Sequence, residues 1–186
     1  MWPVHDVSLK GKVIAVAADR GHHFSKPPRD QIVLVEGHGV DGDAHAGPFV
    51  RHRYLARRQP RLPNLRQVHL IPSERFAHLR EAGFAVAAGD LGENITTAGL
   101  DLELMPLGTK IEFGPTAIIE LTGLRTPCVL IDRFRAGLKR HVLSSAETAP
   151  PFKCGVLGVV RVGGPVAAGD TARIRLPSSF RALPAL

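Results

Sequence analysis

Hydrophobic and polar positions alternate in short runs along most of this chain. Lys12 to Ala18 and Gln31 to Glu36 are β-branched segments bounded by turn residues, and both read as strands. Gln67 to Ile71, Thr109 to Phe113, Thr116 to Thr122, Lys153 to Val162 and Thr171 to Leu176 repeat the pattern. Gly114-Pro115 joins two of these runs as a hairpin. A helical period occurs in two places. Phe76, Leu79 and Ala82 share a face within Pro72 to Ala82, where Pro72 suits an early helical position, Gly83 suits the stop and His78 falls on the solvated side. Ile131, Phe134, Leu138 and Val142 are also helically spaced, with Gly137 weakening that helix by about 1 kcal/mol. The pattern predicts a mostly β fold with a few helices, an α+β arrangement. Its core runs from about residue 12 to 176, and residues 177–186 form a tail.

No repeat, low-complexity linker or composition shift divides the 186 residues, so one domain is expected. The 19 glycines and 15 prolines fit many turns between short strands. No apolar run reaches the length of a membrane span, and the first residues lack a basic-then-apolar leader. The expected setting is cytoplasmic. Two cysteines do not make a disulfide framework, and in a reducing compartment each is a free thiol. The net charge of +7 favours anionic partners.

Four stretches carry candidate chemistry. Leu121 to Asp132 brings a strand out through Gly123 and Pro127 to place Cys128 before a helix. Arg125 and the helix N-terminus would both favour the thiolate, the reactive form of cysteine. Gly37 to Gly47 alternates glycines with His38, Asp41, Asp43 and His45. It could bind a metal, orient a nucleophile or make a polar turn. Pro48 to Gln67 holds Arg51, Arg53, Arg57, Arg58, Arg61 and Arg66 without an acidic residue. Its prolines argue for a loop, and its guanidinium groups suit oxyanions. Tyr54 alone offers a stacking surface there, so a lid over an anionic ligand fits better than a nucleic-acid arm. In Ala88 to Gly99, Gly89 and Gly92 permit sharp reversals while Asp90, Glu93 and Asn94 supply polar side chains. The adjacent His22 and His23 read as a solvated loop, because neighbours on an extended chain point apart.

Taken in order, Gly39 to Gly47, Gly89 to Asn94, Arg125-Thr-Pro-Cys128 and Gly155 to Asp170 resemble the MOSC domain. This module closes eukaryotic molybdenum-cofactor sulfurases and also occurs as stand-alone bacterial proteins. The resemblance covers nearly the whole chain. It implies a distorted β-barrel, like that of pyruvate kinase, and a cysteine that carries sulfur as a persulfide or ligates molybdenum of a molybdopterin cofactor. Cys128 best matches that cysteine.

On this resemblance Arg125 tunes the thiol. The turns holding Asp41, Asp43, His45, Asp90, Glu93 and Asn94 line one pocket, and Arg51, Arg53 and Arg66 recognise the pterin phosphate or another anionic small molecule. Cys154, placed within a strand, is the less favoured thiol and would resolve a persulfide if within reach. The implied activity is sulfurtransferase-like or molybdenum-dependent and reductase-like, with a cysteine desulfurase or a redox protein as partner. Pyridoxal phosphate would belong to the donor partner and not to this chain. Two other readings stay open: a reductase or transferase acting on N-hydroxylated or electrophilic small molecules, and a non-catalytic anion-binding module using Arg51 to Arg66.

Overall fold

The structure is a computed structural model that describes residues 9–50, 61–144 and 150–186. Strands β1 (Lys10–Ala17), β2 (Pro28–Arg29), β3 (Gln31–Val35) and β4 (Gly39–Val40) precede β5 (Val68–Pro72) and helix α1 (Glu74–Glu81). Then come β6 (Ile95–Ala98), β7 (Lys110–Phe113), β8 (Ala117–Leu124), helix α2 (Val129–Phe134), β9 (Val156–Val162), β10 (Gly164–Ala167) and β11 (Thr171–Arg175).

The main sheet runs β11-β7-β8-β9-β5-β6-β1, and pairing of β1 with β11 closes it into a seven-stranded barrel. Closure leaves those strands no free edge. Every neighbouring pair in the barrel is antiparallel except β5 and β6. Parallel neighbours need a crossover, and α1 lies within it.

In β1 the register shifts between Val13 and Ala15. Before that bulge Val13 turns inward while Lys12 and Ile14 face out; after it Val16 is buried. The barrel core includes Val13, Leu70, Ile95, Ile111, Phe113, Ile119, Leu121 and Val160. A second sheet, β10-β3-β4, adds Ile32, Leu34, Val40 and Val166 to the same core. β5 is buried along its whole length. Its Val68 and Leu70 face the barrel core, whereas Ile71 joins an outer cluster with Phe76, Leu79, Ile131, Leu138 and Cys154.

Several sequence expectations change. Pro72 ends β5 and the helix starts at Glu74, because β5 pairs with β6 as far as Pro72. The helix after Cys128 does not reach Val142. Arg135 is extended, Gly137 has φ 82°, and Lys139–Val142 forms a separate 3-10 turn. Ile131, Leu138 and Val142 nevertheless share one buried cluster, so the apolar face survives the break. Gly163 to Asp170 contains β10, and Ile95–Ala98 forms a barrel strand inside a segment read as turns. Cys154 precedes β9 and is not in it. The last residues are held by the fold: Leu183 is buried, Leu186 donates to the Leu124 carbonyl at 2.9 Å, and Thr126 donates to the Leu186 carbonyl at 3.0 Å.

No helix among the described residues is long and apolar enough to cross a membrane.

Candidate functional site

At one rim of the barrel β1 and β8 end while β5, β6 and β9 begin, and the connecting segments surround a cavity of about 370 Å³. The segment after β8 contributes Arg125, Thr126, Cys128 and Leu130, and the β1–β2 loop contributes His22, His23, Phe24 and Lys26. His45, Asn64, Arg66, His69, Gly92 and Asn94 complete the polar wall, with Val50 and Leu157 on the apolar side.

Cys128 is the N-cap residue of α2, half-buried and facing this cavity. The helix has only six residues, so its dipole adds little and the expected help from a helix N-terminus is minor. Arg125 dominates the electrostatics. Its Nη1 donates to the Cys154 sulfur at 2.9 Å, and its guanidinium lies 5.9 Å from the centre of the Phe24 ring. Burial opposes its charge, but the Cys154 and Cys128 sulfurs outweigh that cost and hold it above the ordinary arginine range. Cys154 itself is fully buried. Burial pushes its thiol up against the pull of Arg125.

His69 projects from β5 on the side opposite the barrel core. Its Nε2 lies 2.9 Å from the Cys154 carbonyl, which can only accept, so Nε2 carries the proton. Burial and then Arg125 hold its pKa well below the usual histidine value, and the ring is neutral. The approach of the Cys154 loop to β5 depends on Gly155. At φ 85°, a Cβ there would stand 2.2 Å from the Leu70 carbonyl oxygen and 3.0 Å from His69 Nε2.

The opposite wall is tied by a buried ion pair. Lys26 Nζ stands 2.8 Å from Asp43 Oδ2, with the two side chains 3% and 1% exposed. Asp43 also accepts from the backbone of Asp19 and His45 and from Asn94 Nδ2. Burial alone would raise the Asp43 pKa, but His45 and Lys26 together hold it well below the carboxylate range. For Lys26 burial pulls the pKa down, with Asp43 opposing. This carboxylate joins the loops after β1 and β4 to the segment before β6. Asn64 fastens the next loop by donating to the carbonyls of His45 and Gly47, each at 2.9 Å.

The residues singled out from the sequence therefore divide. Cys128, Arg125, His45, Arg66 and Asn94 line the cavity, and Asp43 lies directly behind its wall. Asp41 is exposed and Asp90 accepts the Ala87 backbone N–H at 2.9 Å; neither lines the cavity. The short Asp90 carboxylate serves its turn. Glu93 is buried off the cavity, where its Oε1 accepts from the Gly89 backbone and the Thr96 hydroxyl, and Oε2 has no partner among the described residues. Burial raises its pKa. Arg51 and Arg53 lie outside the described residues.

The sequence reading missed Lys26, His69, Asn64 and Phe24. For His69 there was a signal: one imidazole inside an otherwise apolar strand, Val68–Pro72. His22 and His23 are exposed, as a solvated loop requires, yet both line the cavity mouth. His22 packs edge-on against His45 at 5.7 Å, and His23 Nδ1 meets Asp19 at 2.6 Å.

No group of three or more His, Cys, Asp or Glu among the described residues is arranged to hold a metal ion. A metal carried by an organic cofactor would need less from the protein. One thiolate and cations for its anionic groups would suffice, and the Cys128, Arg66 and Arg125 wall fits that requirement.

The family model of the MOSC domain matches residues 22–173. Among solved structures, the YUAD protein from Bacillus subtilis superposes with a TM-score of 0.74 at 21% identity, covering 91% of this chain and 97% of that one. YiiM from Escherichia coli gives 0.62 at 21% identity over 92% and 73% of the two chains. YiiM from Geobacillus stearothermophilus gives 0.61 at 17% over 89% and 75%. At these identities the likeness is one of fold. No curated protein matches the sequence.

Proposed function

We propose that this chain, which belongs to the MOSC domain family, is a sulfur-handling protein in which Cys128 takes up sulfane sulfur and carries it as a persulfide. The observation that carries the reading is a division of labour between the two thiols. Cys128 opens on the cavity, whereas Cys154 is fully buried and occupied by Arg125. Thiol exchange proceeds by attack of an accessible thiolate, so access selects Cys128. Arg125 supplies positive charge for the thiolate and for the terminal sulfur of the persulfide, both of them anions.

A second reading is favoured by the rest of the wall. Thiolate is a suitable ligand for molybdenum, and Phe24, Leu130 and Leu157 offer an apolar surface to a pterin ring. Cys128 would ligate the metal, and Arg66 would meet the cofactor phosphate. The cofactor itself would supply the redox chemistry, as a reductase acting on N-hydroxylated small molecules requires. The Cys128 site is common to both readings.

The test is metal analysis and intact mass on protein purified from a host that makes molybdopterin, comparing wild type, Cys128→Ala and Cys154→Ala. A gain of one sulfur atom that Cys128→Ala abolishes and Cys154→Ala retains supports the carrier. Molybdenum lost only with Cys128→Ala selects the second reading. Neither signal, together with salt-sensitive anion binding that Cys128→Ala leaves intact, leaves a non-catalytic anion-binding module.

A further inference from the structure

We propose that the sulfur donor for Cys128 is a small sulfane-sulfur oxyanion, thiosulfate or an organic thiosulfonate, whose oxygens are seated by Arg66 and Arg125. This rests on the reading of Cys128 as a sulfur acceptor and adds the chemical class of its donor.

Among the described residues, the cavity wall holds three lysine or arginine side chains, Lys26, Arg66 and Arg125, and no carboxylate. Lys26 is already neutralised by Asp43 at 2.8 Å. Arg66 and Arg125 are not. Among the described residues neither guanidinium forms a salt bridge, and the Arg125 side chain donates to a sulfur. Glu93 lies within the field of Arg125, but its own burial favours the neutral acid.

The two guanidinium groups also repel each other. Burial and then Arg125 disfavour the charge on Arg66, while Cys128 favours it. Two unneutralised forks facing one partly enclosed cavity lower their energy by taking an anion with several oxygens. Cys128, on the same wall, sets what else that anion needs: an atom that a thiolate can attack.

An S–S bond ending in a sulfonyl group meets both demands. The Cys128 thiolate attacks the terminal sulfane sulfur and forms a new S–S bond, and the bond between sulfane sulfur and sulfonyl sulfur breaks. Its electron pair leaves as sulfite from thiosulfate, or as a sulfinate from a thiosulfonate. Charge is conserved: a thiolate and a thiosulfate dianion give a persulfide anion and a sulfite dianion. No external oxidant or reductant is consumed, and a proton initially on the thiol passes to solvent. The guanidinium groups hold the oxygens that gain charge as sulfite departs. The cavity exceeds the size of thiosulfate, and the apolar wall of Phe24, Leu130 and Leu157 leaves room for an organic group.

The experiment uses the reduced, sulfur-free full chain, incubated separately with thiosulfate, benzenethiosulfonate and glutathione persulfide. Released sulfite or sulfinate and the intact mass are read together. One leaving anion and one added sulfur per chain are expected with either oxyanion, and none with Cys128→Ser. Preference between the first two probes identifies the source. Arg125 is packed against Cys154, so Arg66 carries the variant arm. Arg66→Gln should raise the concentration for half-loading roughly ten- to hundredfold, with an unchanged thermal midpoint, and Arg66→Lys should fall between. Loading by glutathione persulfide but by neither oxyanion overturns this inference and leaves the carrier reading standing. Loading by none of the three overturns both. An Arg66→Gln chain that loads like wild type removes the guanidinium seat.

Discussion

Asp43 is the point at which the cavity wall is most open to a quantitative test. Asp43→Ala strands the Lys26 ammonium, whose side chain is 3% exposed, and removes the acceptor for Asn94 Nδ2 and for two backbone N–H groups. Removing one member of a buried pair costs about 3–5 kcal/mol, most of it from leaving the other charge without a partner. In a chain of this length each kcal/mol moves the thermal midpoint by roughly 2–4 °C, so a fall of roughly 6–20 °C is expected.

Lys26→Met should cost less, because the carboxylate keeps three donors. The double variant Lys26→Met with Asp43→Ala should be more stable than Asp43→Ala alone, since it leaves no buried charge. Urea unfolding of the four proteins gives the cycle. The sign with pH follows from the depressed folded pKa of Asp43. Its stabilisation is complete above the unfolded aspartate value of about 3.9, and is lost as pH falls below that toward the folded value. A cost for Asp43→Ala under about 1 kcal/mol, the range of exposed pairs, would refute the reasoning. So would strict additivity in the double variant.

Two further outcomes are expected. Gly155→Ala should lower stability by more than about 2 kcal/mol, because a Cβ would stand 2.2 Å from the Leu70 carbonyl at φ 85°. Gly83→Ala, at φ 89° where an added Cβ meets no described residue within 4 Å beyond its chain neighbours, should cost only the conformational 1–2 kcal/mol or so; equal losses in denaturant titrations would count against the close approach. His69 is held neutral by burial, so the unfolded chain takes up a proton there that the folded chain refuses. Stability should fall as pH drops through about 6.5, and the difference between wild type and His69→Gln should change across that window; a pH-independent difference would contradict a neutral buried ring.

Elements were legible where the local pattern matched their final burial. The alternation in Gln31 to Glu36 places Ile32 and Leu34 inward in β3, and the β7–β8 hairpin turns at Gly114, where φ is 53°. Legibility failed where a partner distant in sequence decided the state. Ile95–Ala98 reads as the end of a polar turn until β1 and β5 lie on either side of it. The helix expected through Val142 has the right apolar face, but it stops at Phe134, where Arg135 turns extended, and Gly137 at positive φ follows before the next turn.

The candidate site divides in the same way. By itself the sequence determined that Cys128 follows a strand and precedes a helix, that Arg125 stands three residues before it, and that glycine-punctuated turns carry Asp43, His45 and Asn94. These are local facts of spacing and backbone freedom. Only the tertiary structure decided that Asp43 is paired with Lys26, that Asp41 and Asp90 do not line the cavity, and that Arg125 reaches Cys154. It likewise brought His69 and Arg66 to the same cavity. The reason is closure of the barrel, which brings strand ends far apart in sequence to one rim. Which side chains meet there depends on register and bulges, and those are set by packing across the whole molecule.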